Sequence, residues 1–506
     1  MDRLFCGVLC LLVLFCALLS VADSREVVCY YGNWAVYRNG VAKLPVDNID
    51  PKLCTQLNYA FFGITGNGNV RIIDEYAALP PGPPVYGLDA INKFYGLKQI
   101  NPALKTIAAI GGYNTDIGNF SQVAASPQLR STFASNAVAF LQKYRFDGMD
   151  IDWEFPSLED KNNYVLFLQA LSAAFAPYKL LLTVAVPAAE SATAVYDIPG
   201  ISKAVNFINL MEYDMQENFG VTRHHAALYP GPATLDDTAF KRQLNVESSV
   251  KYWLSKGAPA GKLNLGIPFY GHTFKLANPS QTGVGAPTSG LGNKGPYSDQ
   301  LGFLAYNEIC PRTWTAKVYD QVQGTMYAYD KTEWVSYDSA QSITGKCNLI
   351  AQYGLAGGMV WSLESDDFSG TCGKKWELLT ALNQCVNGAA IMTTTTTTAT
   401  TTKTTTKATA AATTKATTMA ATTAKTTAGT TARTTAKTTT QPAVTKSSTS
   451  GSGRFVCPSD GYFKDPANCA KYYQCANGTA YSMSCPSGLY FNEIYKVCDW
   501  PANVKC

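Results

Sequence analysis

The chain has 506 residues, too long for one domain, with enough apolar residues for a large core. Its net charge of +4, from 41 basic and 37 acidic residues, is too small to argue for a nucleic-acid partner. Met1-Asp2-Arg3 opens onto an apolar run, Leu4 to Leu19, closed by small Ser20, Ala22 and Ser24. This predicts a secretory signal peptide over 1–24, cut after Ala22 or Ser24, with a signal-anchor as the alternative. No later segment is long and apolar enough to span a bilayer, so the expectation is a soluble, secreted protein without a membrane partner.

Three zones follow. Residues 25–388 are mixed and aromatic-rich. Residues 389–453 are Thr, Ala and Lys with almost no aromatics, a composition that cannot bury enough apolar surface to offset chain entropy. In a secreted chain such a tract reads as an O-glycosylated, mucin-like stalk; a bare linker is the plainer reading. Residues 454–506 are cysteine-dense. Of the 15 cysteines, Cys6, Cys10 and Cys16 leave with the signal. Cys29, Cys54, Cys310, Cys347, Cys372 and Cys385 fall in the first zone, and six more run from Cys457 to Cys506. Both later sets are even, as disulfide pairing requires, and the usage fits the secretory route.

Within 25–388, short apolar runs predict buried parallel strands at Val27–Tyr31, Gln56–Ile64, Thr106–Gly111, Gly148–Glu154, Leu180–Pro187, Phe207–Asp214, Leu263–Tyr270 and Ala356–Leu363. Helical patterns such as Leu129–Tyr144 and Lys161–Phe175 separate most of them. Repeated strand–helix units predict an α/β class chain, a closed (β/α)8 TIM barrel. The long gap before the last strand, about 271–355, holds strand-like Thr325–Tyr329 and Trp334–Tyr337 and predicts a small α+β insertion.

The run Asp147-Gly-Met-Asp-Ile-Asp-Trp-Glu154 carries the chemistry. Side chains two apart on a strand share a face, so Asp150, Asp152 and Glu154 line up. Clustered carboxylates raise one another's pKa. A solvated edge strand would tolerate them, but Met149, Ile151 and Trp153 argue for burial. A Ca²⁺ or Mg²⁺ site would use them too. In this barrel catalytic groups sit at the C-terminal ends of strands, where Glu154 and Asp214 fall, and that favours acid/base catalysis.

Asp147–Glu154 with Phe155-Pro156 resembles the signature of family 18 glycoside hydrolases, the chitinases. The likeness extends to Val28-Cys-Tyr-Tyr-Gly-Asn-Trp-Ala35, Leu57-Asn-Tyr-Ala-Phe61, Lys105-Thr-Ile-Ala-Ala-Ile-Gly-Gly112, Met211-Glu-Tyr-Asp214, Gly266-Ile-Pro-Phe-Tyr-Gly271 and Gly357-Gly-Met-Val-Trp-Ser362. Asp152 and Glu154, on one strand face, cannot attack from opposite sides as a retaining enzyme with a carboxylate nucleophile requires. The resemblance implies instead that the substrate's N-acetyl oxygen attacks the anomeric carbon. Glu154 would be general acid and then base, Asp152 would hold the acetamido group, and Asp150 would hydrogen-bond Asp152. Tyr213 would donate to the acetamido oxygen, with Asp214 and Met211 shaping the pocket. Trp361 would floor it. Tyr30, Phe61, Gly112, Tyr113, Tyr270 and Trp153 would line the binding region; ordinary barrel core is the alternative for each aromatic.

Tyr113 stands where the family has Trp, Glu212 where it has a small hydroxyl residue, and His272 where Arg is common. Met-Gln-Glu-Asn-Phe219 after Asp214 lacks its usual His-Gly and Trp. Lectin-like relatives lack the acid at Glu154, which this chain keeps. A non-catalytic chitin-binding lectin and an enzyme cutting the chitobiose core of N-glycans are the rival readings.

Cys457, Cys469, Cys475, Cys485, Cys498 and Cys506, with Tyr472-Tyr473-Gln-Cys and Leu489-Tyr-Phe-Asn492, resemble a peritrophin-A type chitin-binding domain. The resemblance implies pairs Cys457–Cys475, Cys469–Cys506 and Cys485–Cys498, and in the barrel Cys29–Cys54 and Cys310–Cys372, leaving Cys347 and Cys385 open. Tyr481, Tyr490, Phe491 and Trp500 are candidates to stack on chitin. Asn119-Phe-Ser121 and Asn477-Gly-Thr479 are N-glycosylation sequons. The expected partners are chitin and chitooligosaccharides, for a monomer; no cofactor and no metal are implied.

Overall fold

The computed structural model describes residues 25–113, 117–215 and 220–387, and in the C-terminal unit 455–458, 461–476, 479–485, 490–493, 497–499, 501 and 504. The expected signal (1–24) and stalk (389–453) lie outside the described residues.

Eight parallel strands close into a barrel: β1 Glu26–Gly32, β2 Gln56–Ile64, β3 Lys105–Gly111, β4 Gly148–Asp152, β5 Leu181–Pro187, β6 Phe207–Met211, β7 Leu263–Pro268 and β8 Gly357–Trp361. Closure is direct, because β1 pairs with both β2 and β8: Cys29 lies opposite Leu57 on one side and Val360 on the other. Alternation along each strand splits the apolar residues into two clusters. Val27, Cys29 and Tyr31 join the large core between strands and helices. Val28, Tyr30, Ala60, Ala109, Ala185 and Met359 form a smaller one, against which Phe61, Met211, Tyr213 and Trp361 pack. Three of its members are alanines, which leave room for polar groups between the strands.

The helices follow the apolar period. Pro127–Tyr144 starts after Ser126, whose hydroxyl accepts from the Leu129 amide, with Pro127 in the first turn where its missing N–H costs nothing. Lys161–Phe175 forms as expected. The insertion builds an antiparallel sheet. Tyr270–Leu276 pairs with Glu333–Tyr337, which pairs with Thr325–Asp330. Among described residues, no helix is long and apolar enough to cross a membrane.

Four strands stop earlier than expected: β7 ends at Pro268 and β8 at Trp361, and the other two bear on the site. β4 ends at Asp152 and β6 at Met211, so Glu154 and Asp214 stand on the turns beyond the sheet. Asp214 has φ of 55°, a left-handed conformation that no strand can continue. Trp153 belongs to the core and not to the binding region: it is buried between Phe120 (ring centroids 5.2 Å) and Tyr164 (5.4 Å).

Disulfides join Cys29 to Cys54, Cys310 to Cys372, and Cys347 to Cys385. The first two agree with the resemblance, and the third resolves what it left open. It ties helix Ala340–Tyr353 to helix Glu377–Val386. The Asn119 amide nitrogen donates to the Ile64 carbonyl at 2.9 Å, so sugar attachment at that sequon would have to give up this bond.

The C-terminal unit has an antiparallel sheet of Gly461–Lys464, Lys471–Ala476 and Thr479–Ser484, and a hairpin of Tyr490–Asn492 with Val497–Asp499. Cys457, Cys469 and Cys485 are disulfide-bonded, and the partners the resemblance gives them are not among the residues whose side chains are described. Phe491 is only 2% exposed and stacks on Tyr472 at 4.5 Å, which makes it core of this small unit and not an open platform for chitin. Tyr490 is half-buried; the Tyr481 side chain and Trp500 lie outside the described residues.

Candidate active site

β4 places Asp150 and Asp152 among the inward residues of its neighbours, both buried. Asp150 accepts from the Tyr30 hydroxyl (2.7 Å), from Thr183 (2.5 Å) and from the Asn209 amide (3.3 Å). Asn209 also donates to the Tyr30 hydroxyl, and Asn264 donates to Asn209. Burial raises the Asp150 pKa to about 6, against the pull of its donors. Asp150 therefore directs its oxygens at Tyr30, Thr183 and Asn209, not at Asp152 as expected. Burial, with the neighbouring charges of Glu154 and Asp150, pushes Asp152 well up, and its Oδ1 has no hydrogen-bond partner among the described residues.

Glu154, two residues past the strand, is half-buried. Burial first, and the charge of Asp214 second, raise its carboxyl to about 7. A carboxylic acid that keeps its proton near neutrality is suited to general acid chemistry.

Asp214 answers from the end of β6. Packing alone would raise its pKa, but His272 (2.7 Å) and His225 (3.3 Å) outweigh that and hold the carboxyl well below the usual range. Tyr270 also donates to it at 2.6 Å. The side chain is 44% exposed, so water screens part of these interactions. Tyr213 lies against Tyr270 (6.0 Å), with its hydroxyl 3.9 Å from Met359 Sδ. Burial raises the Tyr213 pKa, and the charges of Asp152, Asp214, Glu154 and Asp150 add to this, so all four acids surround one phenol. Glu212 is buried behind the site and accepts from the Gly266 amide at 3.1 Å, tying the end of β6 to β7.

Aromatics pave the region beside the acids. Trp361 lies 5.7 Å from Phe61, 5.6 Å from Tyr30 and 6.1 Å from Trp34. Trp34 is 37% exposed, whereas Tyr30 is buried with its hydroxyl on Asp150. Gly112, at φ 88°, makes room for Phe61: a Cβ there would meet the ring at 2.5 Å. Its amide donates to the Asp152 carbonyl at 2.8 Å, holding β3 against the end of β4. Tyr113 is exposed.

Sequence reasoning assigned no role to Thr183, Asn209, Asn264, Trp34 or His225. Three of these carried a readable signal: a polar residue inside an apolar strand is buried on purpose and needs a partner.

Residues 26–366 match the glycosyl hydrolases family 18, and residues 457–506 match the chitin binding Peritrophin-A domain. The chain is 35% identical to an endochitinase of Manduca sexta, across 97% of each chain, and 31% identical to chitotriosidase-1 of Mus musculus, across 94% of this chain and 96% of the other. Among solved structures it resembles the group IV chitinase of Ostrinia furnacalis in complex with allosamidin (38% identity, TM-score 0.67, 71% of this chain and 98% of that one). It also resembles human YKL-39, a pseudo-chitinase with retained chitooligosaccharide binding properties (33% identity, TM-score 0.67, 72% of this chain and 99% of that one).

Proposed function

This chain belongs to glycosyl hydrolase family 18, as a chitinase with a chitin-binding domain, and we propose that it is a secreted, active enzyme cutting β-1,4-linked N-acetylglucosamine by a retaining, substrate-assisted route. The observation that carries this reading is Glu154 raised to about 7 beside a buried Asp152 with an unpaired oxygen. Glu154 protonates the leaving glycosidic oxygen while the substrate's acetamido oxygen attacks the anomeric carbon. Asp152 accepts from the acetamido N–H, which supplies the partner its Oδ1 lacks, and its ionised form, favoured as positive charge grows beside it, stabilises the oxazolinium cation. Tyr213 donates to the acetamido oxygen. Glu154, now ionised, takes a proton from water as that water opens the intermediate, so that the anomeric configuration is retained. Asp150 does not bond Asp152 directly; its own charge, held by Tyr30, Thr183 and Asn209, acts on Asp152 through space. Trp361, Phe61 and Trp34 offer ring faces to the sugars.

The test is product analysis. N-acetylchitohexaose should give short oligomers that are first released as the β-anomer by NMR, and cello-oligosaccharides, which lack the acetamido group, should stay intact. Release of the α-anomer, or of cellobiose, would overturn the route. The C-terminal domain raises the effective concentration of the barrel on an insoluble surface. Removing residues 389–506 should lower the rate on solid chitin several-fold and leave N-acetylchitohexaose turnover unchanged; equal loss on both would contradict a tethering role.

A further inference from the structure

Asp150 is the end of a chain of buried hydrogen bonds that starts at Asn264 on β7. Asn264 is fully buried and lies opposite Asn209 of β6 on one side and Gly357 of β8 on the other. Its amide nitrogen donates to Asn209 Oδ1 at 3.0 Å. Asn209 Nδ2 in turn lies 3.2 Å from the Tyr30 hydroxyl and 3.3 Å from Asp150 Oδ1. Tyr30 donates to Asp150 Oδ2 at 2.7 Å, and Thr183 donates to Oδ1 at 2.5 Å. We propose that Asn264 is a positioning residue for Asp150: it pins the Asn209 amide so that nitrogen, not oxygen, faces the carboxylate and the phenol.

An ionised Asp150 can only accept, and Tyr30 spends its single proton on that carboxylate, so the phenol oxygen can only accept too. Both need a donor from Asn209. An amide can face either way, and the partner of its other end decides. Of the residues beside Asn209 in the sheet, Ala185 on β5 has no side-chain donor and Asn264 on β7 has one. Asn264 is itself held nitrogen-first. Its own oxygen has no partner among the described residues, and a reversed amide would place N–H groups there, the costlier orphan. Without Asn264, the Asn209 oxygen would be the buried orphan, and the amide would gain by turning it to the Tyr30 proton. Asp150 would then lose two of its donors, and its neutral form would gain. Burial already raises this carboxyl to about 6 against the pull of Thr183, Tyr30 and Asn209, so the margin is small. Asp152, on the same strand face, titrates with it. Tyr30, Tyr164 and Tyr213 also feel its charge, but burial keeps all three phenols neutral in this range.

The consequence for turnover rests on the proposed chitinase reading, in which the charge of Asp150 acts on Asp152. The ionisation itself is read without turnover. Full-length protein carrying ¹³C-labelled aspartate is titrated by carboxyl NMR, with Asp150 identified by the signal that Asp150→Asn removes. Asn264→Leu keeps the side-chain size and removes donor and acceptor together. Asn264→Val, suited to a strand, repeats the test with a smaller residue. Each is confirmed folded by circular dichroism. The Asp150 midpoint should rise by about one pH unit or more in both, as for a lost donor to a charged group. The acid limb of kcat/KM on N-acetylchitohexaose should move up with it. Near pH 6, kcat should fall about three- to tenfold while KM stays within about twofold. Because Asn264 acts through Asn209, adding Asn264→Leu to Asn209→Leu should shift the midpoint no further. A midpoint that stays in place in the folded Asn264→Leu and Asn264→Val proteins, or an equal shift with and without Asn209, would overturn the proposal. A shifted midpoint with turnover unchanged, or with none in the wild type, would keep Asn264 in this role and count instead against the part given to Asp150 in the reaction.

Discussion

The turns after β4 and β6 each hold a carboxyl group at the same end of the barrel, and they treat it in opposite ways. Glu154, after β4, meets no cation among the described residues: burial raises its pKa to about 7, and the charge of Asp214 adds to the rise. Asp214, after β6, is packed too, yet His272, His225 and the Tyr270 hydroxyl keep it ionised. Burial alone therefore does not decide a carboxyl's charge: it prevails at Glu154 and is outweighed at Asp214 by two histidines. The pair splits into one acid that keeps its proton and one that has lost it, the separation acid/base catalysis needs.

Among the acids around Glu154, the largest change should come from the middle of the row. Asp152→Asn keeps the shape but removes the charge that stabilises the cationic intermediate, and kcat on N-acetylchitohexaose should fall about 10²–10³-fold. A fall of less than about threefold would move the electrostatic role elsewhere, to Asp214 first. A smaller and more specific effect is expected at β6. In Asp214→Asn the charge that helps raise Glu154 is gone. The basic limb of the kcat/KM profile, which should lie near pH 7 in the wild type, should then move to lower pH. It should not reach the ordinary value of 4.5, because burial is the larger cause. A limb that stays in place would separate the two carboxyl groups.

The smallest effect is on stability. Glu154 is raised in the folded state, so the native protein holds a proton that the unfolded chain has released. That contribution is full below pH 4.5 and is lost as the pH rises through about 7. Tm should therefore fall over this window in the wild type and fall less in Glu154→Gln. Parallel Tm curves for the two proteins would mean that Glu154 titrates alike folded and unfolded.

The barrel was legible because strands covered on both faces read as continuous apolar runs, and β2 and helix Lys161–Phe175 match their predicted bounds. Strand ends were not legible. Nothing in Asp152-Trp-Glu154 marks where pairing stops, and the positive φ of Asp214 has no signature in an aspartate. Trp153 was readable: of its two open readings, alternation alone selects the face opposite Asp152, in the outer core. The Asp150 network could be read only in part, because Thr183, Asn209 and Tyr30 come from three different strands. His225 could not be read at all. It reaches Asp214 from a loop 11 residues on, by a path that no periodicity describes.

The most direct test is turnover by Glu154→Gln beside the wild type, on N-acetylchitohexaose, with products followed by mass and binding by calorimetry. If Glu154 is the general acid, the wild type releases short oligomers, while the variant loses at least about 10²–10⁴-fold in kcat and still binds the hexamer. Wild-type turnover retained in Glu154→Gln would contradict the assignment. Binding without cleavage by either protein, from acidic to neutral pH, would make this barrel a chitin-binding lectin.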